Sequence, residues 1–140
     1  MTSSCKKDSA NTAQKPSIVY APQGEVRSIV AKERAQAEKE QVLLFVLVSA
    51  PWCAPCVAFE GALKEGRLDK DLPNLRFLKF DADADADRLE AAGYTSKYVP
   101  FFSIPNANGS PGPDRFEGAV AKDVPAEQVI VRNLRALITK

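Results

Sequence analysis

Two cysteines stand three apart in the stretch SAPWCAPCVAFE, Ser49 to Glu60, behind a tryptophan and around an Ala-Pro pair. Cysteine sulfur in such a place can bind a metal, staple the chain, fill a core or exchange electrons. The chain has one further cysteine, Cys5, and no histidine. A structural zinc site draws on four Cys or His ligands, so a metal here would need carboxylates to complete it. A staple closing so small a ring removes little loop entropy. Plain packing explains neither Trp52 nor Pro55. Electron exchange accounts for the stretch best. On the first turn of a helix both sulfurs share one face within bonding reach. Unpaired amides and the helix dipole there favour the thiolate at Cys53. Cys56, a turn deeper, reads as the shielded and less acidic partner. An exposed attacker above a shielded resolver is what reversible exchange requires. Pro55 removes a backbone donor and stiffens the turn, and Trp52 offers a flat apolar surface to a peptide.

The rest of the composition frames that chemistry. At 140 residues, 45% apolar and 26% charged, the chain has the size and balance of one globular domain. Nineteen basic against 18 acidic residues leave a formal charge of +1, which provides no footprint for nucleic acid and no polybasic membrane patch. The apolar run from Val42 to Val48 is far too short to cross a bilayer. Without histidine, Ser-His-Asp and Cys-His hydrolase arrangements are excluded.

The elements that must position the cysteines follow from hydrophobic period. Residues 1–17 are polar and aperiodic and read as a disordered leader, with a folded domain over 18–140. Val26, Ile29, Val30, Glu33 and Ala37 mark one stripe of a helix over about Glu25 to Glu40. Val42 to Val48 is an uninterrupted apolar run, the pattern of a strand buried on both faces. Helical spacing resumes from Cys53 to about Gly66, and Leu75 to Asp81 alternates as a second strand, which together make a βαβ unit with a parallel pair. Asp87 to Tyr94 reads as a short helix in which Asp87 and Glu90 form a capping box. Phe101 to Ile104 and Asp114 to Glu117 pair across the turn-rich NANGSPGP, Asn106 to Pro113. Pro125 to Ile138 makes the last helix. A first strand at Ile18 to Tyr20 is the weakest expectation. DADADAD, Asp81 to Asp87, imitates a calcium loop but has Ala86 where such a loop needs glycine and Ala92 where it needs glutamate. It reads as a strand end and helix cap in solvent.

At this point the chain resembles the thioredoxin family. WCAPC at 52–56 is similar to the family's WCxPC motif at the end of a buried strand, YVPFF at 98–102 to its cis-proline segment, and EGAVAK at 117–122 to the turn after its last strand. The resemblance covers about Glu25 to Lys140. It implies an α/β thioredoxin fold, a central mixed sheet flanked by helices, with the CxxC at a helix N-terminus. It implies Cys53 as nucleophile, Cys56 as resolving thiol and a cis Val99-Pro100 bond. It also implies a substrate groove of Trp52, Pro55, Val99, Pro100, Gly118 and Ala119, in which the Val99 backbone pairs with an extended client. No cofactor beyond the redox-active disulfide is implied.

Two departures bear on direction and proton handling. Thioredoxin proper has a buried aspartate six residues before its first cysteine, where this chain has Leu47. Glu60, four residues after Cys56 and so one helical turn on, is similarly placed to a glutamate in the C-terminal domain of bacterial thiol:disulfide interchange reductases. The reading is that Glu60 tunes the cysteines and relays the proton; the bland alternative is a solvated carboxylate pairing with Lys64. Ala54 replaces the family's glycine, and with no histidine between the cysteines the pair leans towards reduction, or a middling potential, rather than oxidation. The expected partners are disulfide- or thiol-bearing client proteins and an upstream dithiol electron donor, with the protein acting as a monomer. Cys5, in TSSCKKDS ahead of a polar tether, resembles the lipid-bearing start of a mature bacterial lipoprotein and would place the domain in the periplasm or cell envelope. The alternatives are a cytoplasmic protein, an oxidase or isomerase using the same cysteines, and a non-catalytic thioredoxin-like binding module.

Overall fold

The structure is a computed structural model and describes residues 13–119 and 122–140. Among these described residues nine elements follow one another: β1 (Ser17–Tyr20), α1 (Val26–Lys39), β2 (Leu43–Ser49), α2 (Ala54–Lys64), β3 (Leu75–Asp81), α3 (Ala86–Ala91), β4 (Phe101–Pro105), β5 (Pro111–Glu117) and α4 (Ala126–Ile138). The strands form one five-stranded sheet in the order β1-β3-β2-β4-β5. β1 and β2 run parallel to β3, while β4 is antiparallel to β2 and β5 to β4. This is the expected mixed sheet, and β2-α2-β3 is the expected parallel βαβ unit.

Strand alternation splits the core into two layers. Phe45, Leu47, Phe77 and Phe102 point towards α2 and α4, where they meet Phe59, Leu63, Ile130 and Leu134. Leu44, Val46, Val48, Leu78 and Phe80 point the other way, onto Val26, Val30 and Ala37 of α1 and Leu89 of α3. Phe59 matters most to the site. Its ring stands edge-on to Phe77 and Phe102, with centroids 5.4 and 5.3 Å apart. Such pairs contribute about 0.5–1.5 kcal/mol each beyond the area they bury. They fix α2 over the sheet so that its first turn sits at the carboxyl end of β2.

Three expectations are corrected. The body begins before residue 18: the Gln14 amide donates to Asn74 Oδ1 and the Asn74 amide to the Gln14 carbonyl, both at 2.8 Å, and Ser17 already pairs with Arg76. Those residues are polar in composition, but their backbone is claimed by the turn before β3. Cys5 and the rest of the leader lie outside the described residues. The cap of α3 is Asp85, not Asp87, which sits in the first turn. Asp81 accepts from the amides of Asp83 and Ala84, and Asp85 accepts from the amide of Asp81 and from Arg88. The aspartates thus order their own turn and start the helix earlier. β5 is also longer than expected, because Pro111 and Pro113 are strand residues at the sheet edge rather than turn residues.

The β4–β5 hairpin ends in a tip that seats against α1. The Gly109 amide donates to the Asn106 carbonyl at 2.9 Å, and the buried Tyr94 hydroxyl donates to the Gly109 carbonyl at 2.8 Å. Burial pushes the Tyr94 hydroxyl far above the ordinary tyrosine range, so it remains a donor.

Candidate active site

β2 ends at Ser49, and the chain turns through Ala50, Pro51 and Trp52 into α2. Cys53 is the helix cap. Its Sγ accepts from the Cys56 amide at 3.2 Å, so one otherwise unpaired donor of the first turn is aimed at that sulfur. Pro55 lies in the first turn, where its missing N–H costs nothing. Cys53 and Cys56 are joined in a disulfide, with Cα atoms 5.3 Å apart. The expectation of an exposed attacker is corrected in this oxidised state: Cys53 is 5% exposed and Cys56 1%. Ala50, Ala82 and Val99 pack around both, leaving Cys53 only the slightly more open of the two. Trp52 beside them is 67% exposed, its Nε1–H donating to Asp83 at 2.6 Å. The DADADAD turn therefore orients the indole as well as capping itself.

The Val99-Pro100 peptide is cis. Pro100's carbonyl accepts from the Gly118 amide at 2.9 Å, which ties the start of β4 to the end of β5. Two cavities flank the Tyr98–Val99 strip. One, about 420 Å³, includes Trp52, Ala82, Leu89 and Tyr94 in its wall. The other, about 350 Å³, is lined by Pro55, Glu117, Gly118, Ala119, Val129 and Asn133. Pro55, Val99, Gly118 and Ala119 thus share one cavity, and Trp52 stands on the other side of the strip.

Glu60 is neither solvated nor paired with Lys64. It is 8% exposed, and both its oxygens are taken: Ser49 Oγ donates to one at 2.5 Å and Lys79 Nζ to the other at 2.6 Å. Lys79 pairs in register with Leu47, so it points to the same face of the sheet as Phe77, towards α2. The carboxylate that Leu47 cannot supply from β2 thus reaches this layer from the helix. The ring of the half-exposed Tyr20 covers Lys79 Nζ, 5.3 Å from the centroid. Among the described residues, no three His, Cys, Asp or Glu side chains gather as a metal site.

The thioredoxin family profile matches residues 15–130, most of the chain. The chain belongs to the thioredoxin family. With its CxxC pair intact and closed as a disulfide, this family member is a thiol-disulfide oxidoreductase. No curated protein matches it. Among solved structures it is similar to thioredoxin from Trypanosoma brucei brucei, at 20% identity and TM-score 0.53 over 91% of this chain and 96% of that one. It is similar also to oxidised thioredoxin from Plasmodium falciparum, at 25% identity and TM-score 0.51 over 88% and 94%. A disulphide isomerase from Xylella fastidiosa aligns at 18% identity and TM-score 0.56 over 88% and 98%.

Sequence reasoning did not find Ser49, Lys79, Asp83, Tyr98 or Glu117 at this thioredoxin-family site. Ser49, Asp83, Tyr98 and Glu117 lie inside stretches singled out above but were given no role of their own there, and Lys79 showed only as a polar member of an apolar alternation. Their partners are brought to them by the sheet topology.

Proposed function

We propose that the protein is a disulfide reductase of the cell envelope that acts on client proteins. The observation that carries the exchange step is the Cys53 sulfur at the cap of α2, accepting from the Cys56 amide beside the Val99-Pro100 strip. In the reduced protein, the Cys53 thiolate attacks one sulfur of a client disulfide and releases the other client sulfur as a thiolate. Cys56 then loses its proton and attacks Cys53 Sγ, freeing the second client sulfur and leaving the Cys53–Cys56 bond. The client gains two electrons and two protons. A dithiol donor must then reduce the pair again. Trp52, Pro55, Val99, Gly118 and Ala119 form the walls along which an extended client segment lies.

Reduction rather than oxidation is supported by the Ala-Pro pair between the cysteines and by the lack of histidine there. The envelope location rests on Cys5 and the polar leader behind it. A reduction potential for Cys53/Cys56 near thioredoxin's, about −270 mV, is the expected result, and a value near −120 mV would reverse the direction to oxidase. The intact mass of native protein should show acyl groups on Cys5; an unmodified cysteine removes the tether.

Glu60 is the proton acceptor for Cys56 in this reading, one turn away on α2. Ser49 and Lys79 hold its carboxylate in place. Glu60→Gln should slow resolution of the mixed disulfide at neutral pH by about tenfold or more, within what positioned bases supply. It should also alter the pH profile of Cys56 reactivity. Unchanged thiol titration and rate in that variant would remove Glu60 from the mechanism.

A further inference from the structure

The two cavities beside the active-site strip differ in charge. The one walled by Trp52 carries both Glu90 and Lys97, which offset each other. Among the described residues, the one walled by Pro55 carries a single charged residue, Glu117; the rest of that lining is neutral. Glu117 ends β5 opposite Phe101, and its side chain reaches the loop that precedes β4. Oε1 accepts from the amides of Lys97 and Tyr98 at 2.6 and 2.7 Å. Two backbone donors on one oxygen fix the carboxylate in the cavity wall. The second oxygen, Oε2, has no partner among the described residues, and no Lys or Arg among them pairs with the group.

From this we infer that the Pro55-side cavity is a specificity subsite for a lysine or arginine side chain flanking the client's reactive cysteine, with Glu117 Oε2 as its counter-ion. The inference rests on the exchange reading above and names the client chemistry it favours. A client segment crossing Val99 to reach Cys53 passes the mouth of this cavity, because Pro55 and Val99 both line it. Val129, Ala119 and Pro55 cover the aliphatic stem, as long cationic side chains bury their methylenes and keep the charged head near water. Asn133 adds a neutral polar contact. The carboxylate is held by main-chain amides before the client arrives, so little ordering cost falls on binding.

The test uses the full-length protein, reduced beforehand. Short peptides each carry one cysteine as a mixed disulfide with the uncharged thiol 2-mercaptoethanol. Lysine, norleucine or glutamate is scanned through the positions on either side, and the second-order exchange rate is measured. At low salt, lysine on one side of the cysteine should be about three- to fivefold faster than norleucine, the scale of a partly exposed ion pair. That ratio should fall towards one at about 1 M salt. It should fall likewise in Glu117→Gln, whose amide oxygen can still accept from Lys97 and Tyr98. Glu117→Lys should favour glutamate instead. Exchange with no charge preference at any position, or a lysine preference that survives Glu117→Gln, overturns the subsite alone. No exchange with any peptide brings down the exchange reading and the subsite together.

Discussion

Cys56→Ser should convert the protein from a turnover catalyst into a trap. Cys53 keeps its place at the cap of α2 and still attacks client disulfides. The serine hydroxyl, far less acidic than a thiol, cannot displace the client from the mixed disulfide. Client proteins should therefore accumulate in covalent adducts that migrate at higher mass and dissolve on adding dithiothreitol. The partner substitution, Cys53→Ser, should reduce exchange to the uncatalysed background, since the remaining sulfur is 1% exposed in the disulfide form and does not sit at the cap. The contrast carries the meaning. Adducts from Cys53→Ser and none from Cys56→Ser would exchange the two roles, and adducts from neither would end the reading of this pair as an exchange centre.

The second large effect lies away from the chemistry. Gly109 has φ of +90°, and a Cβ built there would lie 2.0 Å from the carbonyl oxygen of Arg27. That oxygen belongs to the backbone of α1, so no side-chain rotation relieves the contact. Left-handed strain costs about 1–2 kcal/mol and overpacking about 1–3 kcal/mol. Gly109→Ala should thus destabilise the fold by about 2–5 kcal/mol and lower the melting temperature by about 10 °C. Gly61 in α2 is the control, since a Cβ there meets nothing within 4 Å. Gly61→Ala should be neutral or stabilising by up to about 1 kcal/mol. Similar thermal melts for the two variants would show that the hairpin tip can give way.

The difference between these glycines shows what was legible in the chain. Features set by near neighbours could be read. β3 falls at Leu75–Asp81 as the alternation indicated, α1 within a residue at each end, and Cys53 at a helix cap. Features set across the sheet could not. Ser49 and Lys79 reach Glu60 from 11 and 19 residues away, whereas the near neighbour Lys64 was the natural partner on a helix considered alone. Glu117 meets Lys97 and Tyr98 from 20 and 19 residues away because β4 and β5 bring them together. The low exposure of Cys53 has the same origin: Val99 arrives from the segment before β4 and covers it.

β5 opens with Pro111-Gly112-Pro113 and continues through Asp114, Arg115 and Glu117 at the rim of the sheet. Two of its residues have no amide hydrogen to offer an incoming strand, and the charges that follow penalise a close lateral neighbour. Under the proposed function, in which an extended client segment lies along the Val99 strip, such a guard keeps the sheet edge closed. The protein can then grip a client at the sulfur-bearing end of the sheet while discouraging that client from adding itself as a sixth strand and seeding an aggregate.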